Sequence, residues 1–323
     1  MNVIHNVRRY HRRVSALRAG ELVIRRKRHS TGGILPQGVP GLQMEPTQRA
    51  VRAAEARVAL STGQLRPQLQ PIVAVPSGAL EGFELLARWR RPGGEMVPPT
   101  RFLPLLRKLG LSGEFDLSMV KAATNYAQIL REETGDGTSL HVNLSPVTLN
   151  DAAAMAPVLA HLEQAAAVRE FIVVEVTEES SLGAGGTQSI VALRDLGIRV
   201  AIDDFGEGHS SLARFLEMQI DIVKLDRHIL NICRSHAGSG MLARIVWMLQ
   251  ARSVQVVLEG IEDRHDWELA VMSGCNSAQG FAIARPMEWD AALALARRSD
   301  HWVGTGQAVT TEALRDQSGS LPE

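Results

Sequence analysis

The chain has 323 residues, 45% apolar and 22% charged, with 35 basic and 35 acidic side chains. That is enough apolar material for a full core; no run reaches the roughly 18 uninterrupted apolar residues of a membrane helix, and no apolar stretch follows the basic N-terminus as a secretory signal requires. The two cysteines, Cys233 and Cys275, sit in no CxxC or Cys/His spacing, which excludes a disulfide scaffold or a zinc site and fits a reducing, cytoplasmic setting.

The predicted elements follow in chain order. Residues 1–44 form an arm and linker. Positions 1–30 hold nine Lys or Arg against one acid, Glu21, so the rest carries 26 basic and 34 acidic residues, a net of −8. The arm reads as a solvated tail; contact with nucleic acid or anionic lipid is the alternative, and one aromatic, Tyr10, gives little support for base stacking. The Gly- and Pro-rich stretch 31–43 is a linker. A helix over 45–61 opens the domain, with Val51, Ala54, Val58 and Leu60 on one side. Strands are expected at 70–75, 82–89, 140–144, 171–177, 200–204, 221–225, 255–259 and 279–284. Helices are expected at 99–109, 115–131, 154–167, 186–196, 211–217, 241–252, 264–273 and 289–297. Eight strands alternating with helices over ~240 residues indicate an α/β fold, a (β/α)8 TIM-type barrel spanning 45–302, whose active site lies at the C-terminal strand ends. The polar segment 303–323 reads as a disordered tail.

Six of these runs carry a polar residue at or near one end: GFELLARW (82–89), LHVNLS (140–145), FIVVEVTEE (171–179), VAIDDFG (200–206), DIVKLD (221–226) and VQVVLEG (254–260). AQGFAIA (278–284) adds Gln279. One buried acid is costly, and six such runs are poorly explained as core; parallel strands aiming their ends into one pocket explain them. Many oxygen ligands together suit a hard divalent cation. A Lys at the end of an apolar strand needs acidic company, and Lys224 near metal-bound water would orient the nucleophile or stabilise developing charge. Arg88 shares a strand face with Glu84 and has the fork geometry for a phosphate. Gln70 and Gln279 can each donate and accept, which suits the polar edge of a ligand. Adjacent acids on a strand point to opposite faces, so Asp203 and Asp204 serve one site only if the chain leaves strand geometry there, which Gly206 and Gly208 permit.

These motifs, with KLDR (224–227), EGIE (259–262) and DDFGEGHSSL (203–212), resemble the EAL family of cyclic di-GMP phosphodiesterases from about Gly63 to about Arg297, in family order and spacing. The name-giving triplet is Glu84-Leu85-Leu86. The resemblance implies a barrel with an antiparallel first strand and hydrolysis of cyclic di-GMP to linear pGpG. It implies two ions, Mg2+ or Mn2+. Glu84, Asn143, Glu175 and Asp203 would hold the first; Asp203 would bridge to the second, joined by Asp204 and Glu259. The general-base role falls to Glu259 or to a metal-bound hydroxide, and both stay open. Glu178 and Glu262 would brace the loop after strand five, which the family uses in a homodimer contact. Glu207 and His209 replace a Thr and a Tyr common in that loop. The remaining histidines of the domain, His141 among them, read as surface or satisfied core groups.

Other functions account for less. A receptor that binds cyclic di-GMP without cutting it would not need the complete ligand set. A glycosidase on the same barrel needs only a pair of carboxylates, which leaves Asn143, Asp203-Asp204 and Lys224 without a role.

Overall fold

The computed structural model describes residues 46–135, 137–177, 183–206, 218–234, 236–298, 301–302 and 308–309. In chain order these form α1 (Pro46–Ser61), β1 (Leu65–Ala74), β2 (Leu80–Arg90), β3 (Met96–Val97), α2 (Pro99–Leu109), α3 (Ser112–Thr134), β4 (Ser139–Asn143), α4 (Pro146–Asn150), α5 (Ala152–Gln164), β5 (Ile172–Thr177), α6 (Ala184–Asp195) and β6 (Arg199–Phe205). There follow β7 (Ile222–Leu225), α7 (Arg227–Cys233), α8 (His236–Gln250), β8 (Gln255–Leu258), α9 (Arg264–Ser273), β9 (Ser277–Ala278), α10 (Trp289–Arg297), β10 (His301–Trp302) and β11 (Ala308–Val309). No helix among the described residues is long and apolar enough to cross a membrane.

Strands β2, β4, β5, β6, β7, β8 and β9 pair in parallel in that order, and β1 closes the ring by pairing antiparallel with both β2 and β9. The result is the expected eight-stranded barrel with an inverted first strand. β3 lies outside it, antiparallel to the end of β2.

Strands covered on both faces must be apolar on both. The outward residues pack with the helices into one large core that includes Val142, Val174, Val176, Val200, Ile202, Val223, Leu225, Val256 and Leu258. The inward residues Ile72, Val173, Ala201, Ile222 and Val257 form a separate apolar cluster. Because side chains alternate along a strand, the next inward position on each is the polar one: Gln70 on the inverted β1, Glu175 on β5, Asp203 on β6, Lys224 on β7 and Glu259 just past β8. One period-2 pattern thus builds an apolar plug and a polar layer above it.

The turns after the polar layer are set by helix caps. Ser145, two residues past Asn143, accepts from the Thr148 amide to start α4; Asp226, two past Lys224, caps α7; Asp263, four past Glu259, caps α9. Each cap satisfies amides that the first helical turn leaves unpaired, so the loop carrying a site residue has one favoured exit.

Strand eight departs from expectation. The apolar run 279–284 is not a strand; the strand is the dipeptide Ser277–Ala278. Beyond it the Gly280 backbone lies against Ile261, where an added Cβ would sit 2.2 Å from the Ile261 carbonyl oxygen. Ile261 N donates to Gln279 O (3.1 Å) and Ala282 N to Ile261 O (2.9 Å), and the 280–284 segment turns through bonds of Ile283 and Ala284 to Gly280 O. The apolar content there serves loop packing, a role that periodicity cannot separate from strand. The short β3 was not foreseen, and Ala308–Val309 in the expected tail pairs with His301–Trp302. The expected helix at 211–217 lies outside the described residues.

The close approach at Gly280 makes a test. Gly280→Ala forces two backbone segments apart, so unfolding in urea should show a stability loss of about 1–3 kcal/mol, the usual cost of overpacking.

Candidate metal centre

The polar layer converges on Lys224. Its side chain is fully buried, and its ammonium nitrogen lies 2.8 Å from Glu259 Oε1, 3.0 Å from Glu175 Oε1, 3.0 Å from Asp203 Oδ1 and 3.2 Å from Glu84 Oε2. Asn143 Nδ2 bridges two of these acids, donating to Glu84 Oε1 (3.2 Å) and Glu175 Oε2 (3.1 Å). Gln279 Nε2 donates to Glu84 Oε2 at 2.7 Å and to Gln70 Oε1 at 3.3 Å, and Gln70 in turn holds the Ala284 carbonyl. The two glutamines therefore brace Glu84 from the barrel wall.

Asp204 completes the cluster through a backbone irregularity. The β6–β7 register shifts between Ile202 and Phe205, and Asp204 has φ 54, in the left-handed region. Non-glycine residues rarely adopt it, Asp more readily than most. The departure from strand geometry foreseen at this dipeptide is thus made by Asp204 itself. Gly206 follows with φ 108, and a Cβ there would meet Ile229 Cδ1 at 2.3 Å. Glu178 and Glu207 lie outside the described residues.

Burial sets the proton affinities. It pushes Glu175 well above the usual carboxylate range, against the pull of Lys224, while Glu84, Asp203 and Glu259 add to the rise. Burial likewise raises Glu259 to about 8; Lys224 opposes the shift, and Asp203 and Glu84 reinforce it. For Lys224, burial works to lower the ammonium, but Asp203, Glu175, Glu259 and Glu84 together hold it well above the ordinary lysine value. These are the signs of a site short of positive charge.

The donor set fits divalent cations. Ligand oxygens of Glu84, Glu175 and Asp203 lie within 4.8 Å of one another, and so do those of Asp203, Asp204 and Glu259, giving two three-carboxylate groups that share Asp203. Asp203 Oδ1 is buried near Lys224 but outside hydrogen-bond geometry, and Gln279 Oε1 is buried without a donor. Oxygen atoms left this way suit a hard ion.

Above the cluster a cavity of about 400 Å³ opens, lined by Gln70, Glu84, Asp203, Asp204, Lys224 and Glu259 and, at its rim, Phe281. Phe281 is half exposed, with the Arg285 guanidinium 4.3 Å from its ring centre. Arg88 does not line this cavity: its Nε donates to Gln68 Oε1 at 3.0 Å on the neighbouring strand. Glu262 pairs with Arg227 at 2.6 Å, its ion partner among the described residues.

Long-range braces escaped the sequence reading. Buried Asp116 on α3 accepts from the backbone and hydroxyl of Ser145 and from Thr148, holding the loop after Asn143. Buried Asp266 takes a two-pronged contact from Arg234 (3.0 and 2.9 Å) and the Glu262 amide (2.9 Å), holding the loop after Glu259. His141, read as surface or core, reaches Glu175 with Nδ1 at 2.9 Å. Its position two residues before Asn143, on the same strand face, was the available signal.

The family model of the EAL domain matches residues 53–286. The bifunctional diguanylate cyclase/cyclic di-GMP phosphodiesterase MucR of Pseudomonas aeruginosa is 29% identical over 243 residues, covering 74% of this chain and 36% of MucR. Two cyclic di-GMP phosphodiesterases of the same organism are similar: NbdA, 32% identical over 250 residues (76% of this chain, 32% of NbdA), and RocR, 30% identical over 231 residues (71% and 59%). The chain thus spans about a third of MucR and of NbdA and under two thirds of RocR. Among solved structures, the PaMucR phosphodiesterase in its c-di-GMP complex matches with a TM-score of 0.65 at 30% identity, over 74% of this chain and 98% of that one. The EAL enzyme Bd1971, bound to cAMP and cyclic di-GMP, shares the fold with a TM-score of 0.70 at 21% identity, over 77% and 69% of the two chains. Both the matched span, residues 53–286, and the barrel that carries it lead to one assignment: the chain belongs to the EAL domain family.

Proposed function

We propose that the chain is a phosphodiesterase that opens one phosphodiester bond of cyclic di-GMP to give linear pGpG, using two divalent cations, Mg2+ or Mn2+. The observation that carries this reading is the pair of carboxylate groups sharing Asp203 over a buried lysine. Glu84, Asn143, Glu175 and Asp203 would hold one ion, and Asp203, Asp204 and Glu259 the other. When bound, such ions activate water and neutralise charge on the phosphoryl oxygens. The protein's own groups do the rest. Lys224 Nζ offers its positive charge to the oxygen on which negative charge develops. Glu259, whose Oε1 lies 2.8 Å from that ammonium, would take the proton of the attacking water. Gln70 and Gln279 hold Glu84 in place, and the Phe281 face with Arg285 beside it offers an apolar and cationic rim for a nucleotide base.

Charge supports the same reading. Glu84, Glu175, Asp203 and Glu259 surround one ammonium and Asp204 lies beside Asp203 and Glu259, so the fully ionised cluster lacks four positive charges, which two divalent ions would supply. A receptor that only binds cyclic di-GMP gives no reason to bury Lys224 among these acids. A homodimer formed through the loop after β6 belongs to this proposal, and light scattering at rising protein concentration tests it.

The decisive assay is incubation of the purified protein with cyclic di-GMP and either Mg2+ or Mn2+, against a chelator control, with products separated by chromatography. Linear pGpG should form only with the ion; no turnover with either ion would overturn the proposal. Glu84→Ala removes a ligand oxygen and should lower turnover at least ~100-fold while circular dichroism shows an unchanged fold.

A pH dependence follows for the metal-free protein. Glu259 rises from 4.5 to about 8 on folding, so between those values the folded state binds more protons than the unfolded one. Its stabilising contribution is complete below about pH 4.5 and is lost as pH rises through about 8. Melting temperatures in chelator should therefore fall over that window. Added Mn2+ should restore them, with the largest gain at the high end, because binding requires deprotonated ligands.

A further inference from the structure

His141 stands level with the apolar plug, paired in register with Val173. It occupies an inward position on β4, its side chain is 3% exposed, and it meets the barrel's inner residues Ile72, Ile222 and Val257 around a second cavity, about 440 Å³, at the opposite mouth. An imidazole there is costly unless both nitrogens are satisfied. Nδ1 lies 2.9 Å from Glu175 Oε1 and Nε2 lies 3.3 Å from Ser139 Oγ, whose hydroxyl is also 3.1 Å from the Glu81 carbonyl oxygen. When Glu175 is ionised to hold a cation it only accepts, so His141 Nδ1 is then the donor of this pair.

The bland reading is a satisfied core histidine. Its partner argues otherwise. Nδ1 meets a carboxylate of the proposed ion site, and that carboxylate is itself fully buried. Glu175 Oε1 receives His141, whereas Oε2 receives Asn143 and so lies on the side of Glu84. Both oxygens lie close to Lys224 Nζ (3.0 and 3.1 Å), so the donor on Oε1 is what distinguishes them: it stops the carboxylate rotating about its last bond and leaves Oε2, on the side of Glu84, for the ion site.

We propose that His141 is a positioning residue that selects the Glu175 oxygen offered to the cation, and that Ser139 fixes the ring in the orientation this requires. The inference rests on the cation-binding reading above. It extends that reading to a residue beneath the site that touches neither ion nor substrate.

The test measures Mn2+ affinity by calorimetry on the full chain without substrate, alongside thermal melting in chelator. His141→Leu fills the space and removes the donor; Mn2+ should bind about 10–100-fold more weakly, the usual cost of losing a group that orients a metal ligand, with the melting temperature maintained. His141→Asn keeps an N–H near the Nδ1 position and should recover most of the affinity. His141→Gln places its amide nearer the Nε2 position and should bind as weakly as the leucine variant. Ser139→Ala should cause a smaller loss. A folded His141→Leu protein with wild-type Mn2+ affinity would overturn the proposal. If that variant does not fold, equal affinity of the Asn and Gln variants would overturn it. The readout needs no hydrolysis, so absent turnover in the wild type would sink the phosphodiesterase reading alone. Absent Mn2+ binding in the wild type would sink both.

Discussion

Everything in the polar layer of the barrel is arranged around one buried ammonium. Lys224 has no water to solvate it, and four carboxylates from four other strands or their ends take water's place. Desolvating a charge costs several kcal/mol, and partners within about 3 Å offset that only if they are held there. The surrounding amides and caps do the holding. Asn143 ties Glu84 to Glu175, the glutamine pair ties Glu84 to β1 and β9, and Asp266 ties the Glu259 loop to α7. The lysine also explains why so many acids can approach before any cation binds: it lessens their mutual repulsion without neutralising them, and leaves a deficit that selects for multiply charged ions.

The barrel makes this possible through register. Inward positions recur every second residue, so a strand that places Val173 in the apolar plug must place Glu175 in the layer above, and the same holds for Ala201 with Asp203 and Ile222 with Lys224. A slip of one residue in any pairing would send an acid into the outer core and an outer valine into the site. The apolar plug thus fixes alignment as well as adding burial. His141 is the exception in that plug, and its hydrogen bond to Glu175 gives the exception a reason.

Much of this was visible in the chain because parallel strands covered on both faces read as short apolar runs, and a polar residue at the end of such a run stands out. Glu175, Asp203, Lys224 and Glu259 could be picked for that reason, and the structure brings them together. What could not be read depends on contacts between distant positions. Arg88 shares a strand face with Glu84 yet turns to Gln68. Asp116 and Asp266 are ordinary helix residues until the fold places them under a loop. The run 279–284 misled for a different reason: its apolar residues pack on a neighbouring turn, where no ladder exists, and composition alone does not distinguish the two.

The inverted first strand decides where a mechanical disturbance enters. In an all-parallel barrel the first strand begins at the face remote from chemistry. Here Leu65, the first residue of β1, pairs with Trp89 near the far end of β2, so the chain arriving from α1 reaches the barrel on the side of the polar layer. Five residues later comes Gln70, paired with Glu84 and bonded to Gln279. A pull or twist on α1 therefore travels along a stiff, hydrogen-bonded ribbon straight to a ligand's support. The strand acts as a lever with its short arm in the site, and the opposite mouth of the barrel can stay still while it moves.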